Sequence, residues 1–212
     1  MDPASSAGDV RVAVLASGSG TNLQALLDDE FCGPRIALVV SDRRDAFALE
    51  RARSAGVPAV VVDPAEHDGR DVFGAALLEV LADRAIGLVV LAGFMRILPP
   101  GVVRAFEGRT LNVHPALLPA FPGAHAIADA LAWGAKTTGV TVHLVDEEVD
   151  HGTIVFQEAV AVRDDDDLAS LEARIHEVEH HLLPAAVRAL AEGRLRIYGR
   201  RVTVAEPASV RP

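Results

Sequence analysis

The sequence predicts an α/β protein with a mostly parallel central sheet and an antiparallel C-terminal extension, and three observations carry that prediction. Short β-branched runs alternate with helical patterns of about 10–15 residues through the first two-thirds of the chain, as βαβ units require. The run 88–92 is apolar without alternation, as expected of a strand covered on both faces. After Pro115 the texture changes, and two alternating runs flank an acidic turn.

Taken in order, 11–16 is the first strand, followed by a Gly/Ser turn and a helical pattern over 22–29. The second strand is 36–41. Residues 46–55 have helical spacing and stop at Gly56-Val57-Pro58, residues that end helices. Strands follow at 57–62, 88–92 and 110–114, with a helix over 72–81. Right-handed crossovers make these five strands parallel. Residues 116–123 hold two prolines and a glycine and form a loop, and 127–133 is a short helix. The runs 139–145 and 154–162 alternate, which predicts an antiparallel hairpin with a long tip at 146–152. The run 164–167 is all aspartate. Carboxylates suit a helix N-terminus, and Leu168, Leu171, Ile175, Val178 and Leu182 form one apolar stripe behind it. A short strand and a frayed end are expected past Tyr198. No repeat or linker interrupts the chain, so one domain is expected over 1–212, with flexible ends at 1–10 and 205–212.

Half of the 212 residues are hydrophobic, ample for one core, yet no apolar run approaches the roughly 18 residues that span a bilayer. The start is polar and lacks the basic and apolar regions of a secretory signal. Cys32 is the only cysteine, which excludes an internal disulfide; it is read as structural and the protein as cytoplasmic. Acids outnumber bases 30 to 20, for a net charge of −10, and this speaks against a nucleic-acid partner. A small anionic substrate remains compatible, because backbone amides and local arginines hold anions.

The most informative stretch is Leu111-Asn112-Val113-His114-Pro115, read with Val149-Asp150. On a strand, Asn112 and His114 share a face. Such a pair can donate two hydrogen bonds to a developing oxyanion, and a carboxylate such as Asp150 favours the proton-donating imidazole. Asparagine closing a turn and histidine at a sheet edge are the plain alternatives. The strand's carboxyl end favours chemistry, because open α/β sheets bind ligands there. At the same edge, Ser17-Gly18-Ser19-Gly20-Thr21-Asn22 opens the first helix as an anion loop. The plain alternative is a turn capped by Ser19 or Thr21. The loop lacks the Gly-Lys-Ser/Thr of nucleotide triphosphatases, and Leu23 replaces the third glycine of a dinucleotide fingerprint. Asp42, after the second strand, keeps that fingerprint open as a ribose-reading acid. His176-Glu177-Val178-Glu179-His180 fits the two-histidine zinc protease pattern, but the extended motif's glycine and third histidine are missing.

Several segments, in order, resemble the phosphoribosylglycinamide formyltransferase family over nearly the full length. They are 14–25, 46–52, 91–98 (Leu-Ala-Gly-Phe-Met-Arg-Ile-Leu), 111–119, 123–126, 139–143 and Val149-Asp150-His151-Gly152. The resemblance implies a Rossmann-like formyltransferase fold. It also implies attack of the glycinamide ribonucleotide amine on the formyl carbon of 10-formyltetrahydrofolate, the co-substrate. Asn112 and His114 would stabilise the oxyanion, and Asp150 would assist the proton relay. Gly20, Thr21 and Asn22 would hold the nucleotide phosphate, and Glu179 matches a position that contacts the nucleotide. Met95, Arg96, Ile97 and Leu98 match the folate wall, and Arg70 an arginine near the folate tail. Asp146, Glu147, Glu148 and Val149 would clasp the pterin through their backbone. No metal is expected, and a homodimer is left open.

This chain departs from the family at His151, where a small residue is usual, and at Thr153, where proline is. His125 and His143 match without an evident role. The nearest competitor, a hydrolase of 10-formyltetrahydrofolate, resembles the same core but is expected to need a further N-terminal domain. Transfer to initiator methionyl-tRNA is expected to need a C-terminal RNA-binding domain and a basic surface. A non-catalytic nucleotide-binding module is the remote alternative.

Overall fold

The computed structural model describes residues 10–206, so the expectation of flexible ends falls outside them except at Val10, Ala205 and Glu206. The elements are β1 (Val12–Leu15), α1 (Thr21–Asp28), β2 (Ile36–Ser41), α2 (Phe47–Ser54), β3 (Ala59–Val61), α3 (Arg70–Asp83), β4 (Leu88–Leu91) and α4 (Pro100–Ala105). Then come β5 (Thr110–His114), α5 (Ala126–Trp133), β6 (Thr137–Leu144), β7 (Ile154–Ala161), α6 (Leu168–Ala191), β8 (Leu195–Tyr198) and β9 (Arg201–Val204).

Seven strands form one sheet in the order β3-β2-β1-β4-β5-β6-β7. The first five are parallel, and β6 and β7 extend the sheet antiparallel, as the change of texture after Pro115 predicted. Burial on both faces explains the unbroken apolar runs. In β1, Val12 and Val14 pack under α1, α2 and α6, whereas Ala13 and Leu15 pack under α3 and α4. Each large aliphatic side chain so buried contributes about 1.5–3 kcal/mol. Because α3 carries the chain from β3 past β1 to β4, the winding reverses between β1 and β4. Their carboxyl ends open a crevice there.

Several local expectations change. The short helix α4, unforeseen, starts on Pro99-Pro100, where a missing N–H costs nothing. Asp167, not the whole aspartate run, caps α6 in a reciprocal box with Ser170. Asp166 turns inward to Arg174, which holds its carboxyl well below the usual range. Leu171, Ile175 and Leu182 are buried and Val178 partly so, but Leu168 is exposed, because the first helical residue precedes the contact with the sheet. The end is not frayed at Ala205. An unforeseen β8 pairs with β9, and Ala205 exchanges hydrogen bonds with Arg194. Cys32 is buried, and burial together with the Asp29 charge pushes its thiol up to about 12, in keeping with a structural role. Among the described residues, no helix is long and apolar enough to cross a membrane.

Candidate active site

The carboxyl end of β5 presents Asn112 and His114 on one face, beside β6, whose His143 is the antiparallel partner of Asn112. Asn112 Nδ2 lies 3.1 Å from His143 Nε2, and His143 Nδ1 donates to the Leu144 carbonyl at 2.9 Å. His114 is buried, with Nε2 2.8 Å from the Phe121 carbonyl oxygen, to which it donates. That carbonyl belongs to the 116–123 loop, fastened by Thr141 Oγ1 donating to the Ala116 carbonyl and accepting from Leu118 N–H.

Asp150 arrives from the acidic turn and meets this cluster. Its Oδ2 accepts the Gly123 N–H at 2.7 Å and lies 3.4 Å from His114 Nδ1. Its Oδ1 lies 3.5 Å from Asn112 Nδ2 and 3.8 Å from His143 Nε2. Burial pushes this carboxyl up, but the combined pull of His143, the Gly123 N–H and the His114 charge holds it below the ordinary range. Asp150 has φ +52°, a left-handed backbone that few non-glycine residues adopt. Two residues on, a Cβ at Gly152 would fall 1.6 Å from the Leu144 carbonyl oxygen, so only glycine lets the turn pass β6 this closely. The anchored imidazole and the loop acid thus share one end of the molecule.

These groups line one side of a cleft of about 400 Å³. The 93–98 loop after β4 forms another wall, and Asp146, Glu147, Glu148 and Val149 a third. Met95, Ile97 and Val149 are 52–63% exposed, an apolar rim unusual for free surface and suited to a flat aromatic ligand. The wall is tied from behind. Ser17 Oγ accepts the Met95 N–H at 2.8 Å, Arg96 Nε donates to Asp42 at 2.8 Å, and Arg70 Nη2 donates to the Leu98 carbonyl at 2.7 Å. Arg70 therefore braces the cleft without lining it. Asp42 is buried and spends one oxygen on Arg96, which leaves it poorly placed to read a ribose.

The anion loop lies next door, joined to the cleft wall by Ser17 N–H donating to the Gly93 carbonyl at 3.0 Å. Gly20, at φ +70°, is the N-cap of α1, so neither Ser19 nor Thr21 caps this helix. A Cβ at Gly20 would meet Ala48 at 2.8 Å. Asn22 Nδ2 donates to Glu179 at 2.9 Å, and His176 Nδ1 lies 2.8 Å from the same oxygen. The two-histidine pattern on α6 is thus a helix face turned to α1, with Glu179 at its centre. Glu179 raises the His176 pKa against the opposing effect of burial. Gly20, Thr21, Asn22 and Glu179 form one group, and the cleft residues another beside it.

A model of the formyl transferase family matches residues 10–187. Phosphoribosylglycinamide formyltransferase of Mycobacterium tuberculosis is 47% identical over 201 residues, covering 94% of each chain. The chain belongs to the phosphoribosylglycinamide formyltransferase family. It is also similar to the human trifunctional purine biosynthetic protein adenosine-3, at 42% identity over 88% of this chain and 19% of that one. Among solved structures, glycinamide ribonucleotide transformylase 1 from Symbiobacterium toebii superposes with a TM-score of 0.91 at 50% identity, covering 94% of this chain and 95% of that one. The phosphoribosylglycinamide formyltransferase of Coxiella burnetii gives 0.86 at 35% identity, covering 92% and 93%.

In this member of the family, sequence reasoning left three participants without a role: the His143 ring, the Phe121 carbonyl and the Gly123 N–H. For His143 there was a signal, since it sits in an alternating run beside the Asn112 strand. The two backbone groups carry none, because any residue type supplies them.

Proposed function

We propose that this protein transfers the formyl group of 10-formyltetrahydrofolate to the amine of glycinamide ribonucleotide in purine synthesis, in the cytoplasm and within one catalytic domain. The supporting observation is the convergence of Asn112, His114 and His143 on the Asp150 carboxylate at the wall of an apolar-rimmed cleft. The names of close relatives supply the formyl acceptor, glycinamide ribonucleotide, and the resemblance of the 93–98 and 146–149 walls to the family's folate pocket suggests the donor.

The nucleotide phosphate sits on the backbone amides of Gly20, Thr21 and Asn22 at the N-terminus of α1, and Glu179 contacts the rest of the nucleotide. Met95, Arg96, Ile97 and Leu98 flank the folate, with Arg70 behind them. The 146–149 backbone clasps the pterin. The amine nitrogen then attacks the formyl carbon, and the carbonyl electrons move onto oxygen. Asn112 Nδ2–H and His114 donate to that oxyanion, which a dry, prearranged site stabilises far more than water does. His114 Nε2 is committed to Phe121, so Nδ1, beside Asp150, is its working nitrogen. Asp150 takes the amine proton through a water molecule, His114 delivers its Nδ1 proton to the folate nitrogen as its bond to the formyl carbon breaks, and the proton on Asp150 then passes to His114 Nδ1. One C–N bond forms, one breaks, and one proton passes from amine to leaving group.

The test is incubation with 10-formyltetrahydrofolate labelled in the formyl carbon, with and without glycinamide ribonucleotide. The label is expected on the nucleotide amine. Free labelled formate, released whether or not the nucleotide is present, would favour the hydrolase and overturn this reading.

A further inference from the structure

His151, the departure from the family pattern, has partners that give it work. Its Nδ1 lies 2.8 Å from Asp146 Oδ2, and its Nε2 lies 3.3 Å from Arg200 Nη1. Arg200 Nη2 also donates to the His151 carbonyl at 2.6 Å. Arginine only donates, so Nε2 accepts and Nδ1–H donates to Asp146, and every group along the chain is matched. Arg200 stands in the tight turn between β8 and β9, where Gly199 takes φ +60°. This hairpin packs on β7 and lies beyond the 10–187 span of the family model. On either side of His151 the backbone has little freedom, with Asp150 at φ +52° and Gly152 against Leu144.

We propose that the β8–β9 hairpin straps the acidic turn. In this arrangement Arg200 and His151 are positioning residues that hold the 146–149 wall and the pose of Asp150. An isolated exposed ion pair does little. This contact differs in gripping main chain and ring of one residue whose neighbours are already fixed. Its kinetic consequence rests on the function proposed above, whereas its effect on the turn does not.

The experiment compares the intact protein with Arg200→Ala, Arg200→Lys and His151→Ala by hydrogen–deuterium exchange and steady-state kinetics. Arg200→Ala and His151→Ala should speed exchange across 146–152 and leave the strands β1, β4 and β5 protected as before. They should raise KM for 10-formyltetrahydrofolate about three- to tenfold, the range that one or two such hydrogen bonds command, with KM for glycinamide ribonucleotide unchanged. Arg200→Lys, which keeps one donor for the His151 carbonyl, should recover part of both effects. Unchanged exchange across 146–152 in both alanine variants would overturn the strap. If the intact protein transfers no formyl group, the exchange result still decides the strap, and the functional reading falls separately.

Discussion

Asp150→Asn keeps the shape of the side chain and removes its charge, and the surroundings make the consequence calculable. One carboxylate oxygen accepts Gly123 N–H at 2.7 Å, and the other faces Asn112 Nδ2 at 3.5 Å. An asparagine amide must turn its NH₂ toward one of these donors, so either orientation sets donor against donor. Losing a hydrogen bond to a charged acceptor costs about 1.5–3 kcal/mol. For a chain of this size, at about 2–4 °C per kcal/mol, that lowers Tm by roughly 3–12 °C. The carboxyl is held below its ordinary pKa in the folded protein, so its stabilisation is complete above the usual carboxylate range and is lost as pH falls through the lowered value. The Tm deficit of the variant should therefore shrink in acid. Without a proton acceptor, kcat should fall by about two to four orders of magnitude, or roughly 3–5.5 kcal/mol, with both KM values within about threefold. A coupled spectroscopic assay of tetrahydrofolate release reads kcat, and calorimetry reads Tm. A variant that loses the predicted Tm but turns over within about threefold of the parent would make Asp150 a structural residue and refute the relay.

His114→Ala should lower kcat by a similar factor and remove one limb of the pH–rate profile; an unchanged profile rules out its role in proton transfer. Gly20→Ala forces a side chain into a left-handed backbone and to 2.8 Å from Ala48. Left-handed backbone costs about 1–2 kcal/mol, so if the loop shifts to relieve it KM for the nucleotide should rise about five- to thirtyfold while that for the folate holds. Equal nucleotide KM in parent and variant would remove the phosphate from this loop. His176 has its pKa raised by Glu179, so its contribution to stability is whole below the unfolded value of 6.5 and is lost as pH rises through the folded one. His176→Gln should flatten Tm against pH above that value, and an unaltered slope would show that the contact contributes nothing.

The parallel part of the fold was legible because β1, β2 and β4 are apolar on both faces and the intervening helices keep their period. The antiparallel extension was legible because β6 and β7 alternate. Short or unusual elements were not: α4 has only six residues and opens Pro-Gly, which reads as a break, and β8 sets arginine and isoleucine side by side in a solvent-exposed ribbon. At the site, Asn112 and His114 were visible from their spacing on one strand. Asp150 was picked out as a carboxylate that could serve the imidazole, but no local rule brings a residue 36 positions away to β5, and only the family pattern supported that pairing. The pairing of Asn112 with His143 depends on the β5–β6 register, fixed by packing rather than by either segment alone. The plain alternative at the anion loop, a side-chain cap by Ser19 or Thr21, is not what the fold uses. Gly20 instead answers the closeness of α2, a tertiary constraint.

A crystal structure with glycinamide ribonucleotide and tetrahydrofolate bound tests the central claim most directly. The phosphate should lie on the amides of residues 20–22. The amine and the folate nitrogen should lie on opposite sides of the space between Asn112, His114 and Asp150. Ligands seated away from that trio, or an Asp150 carboxylate turned out of the shared cavity, would contradict it.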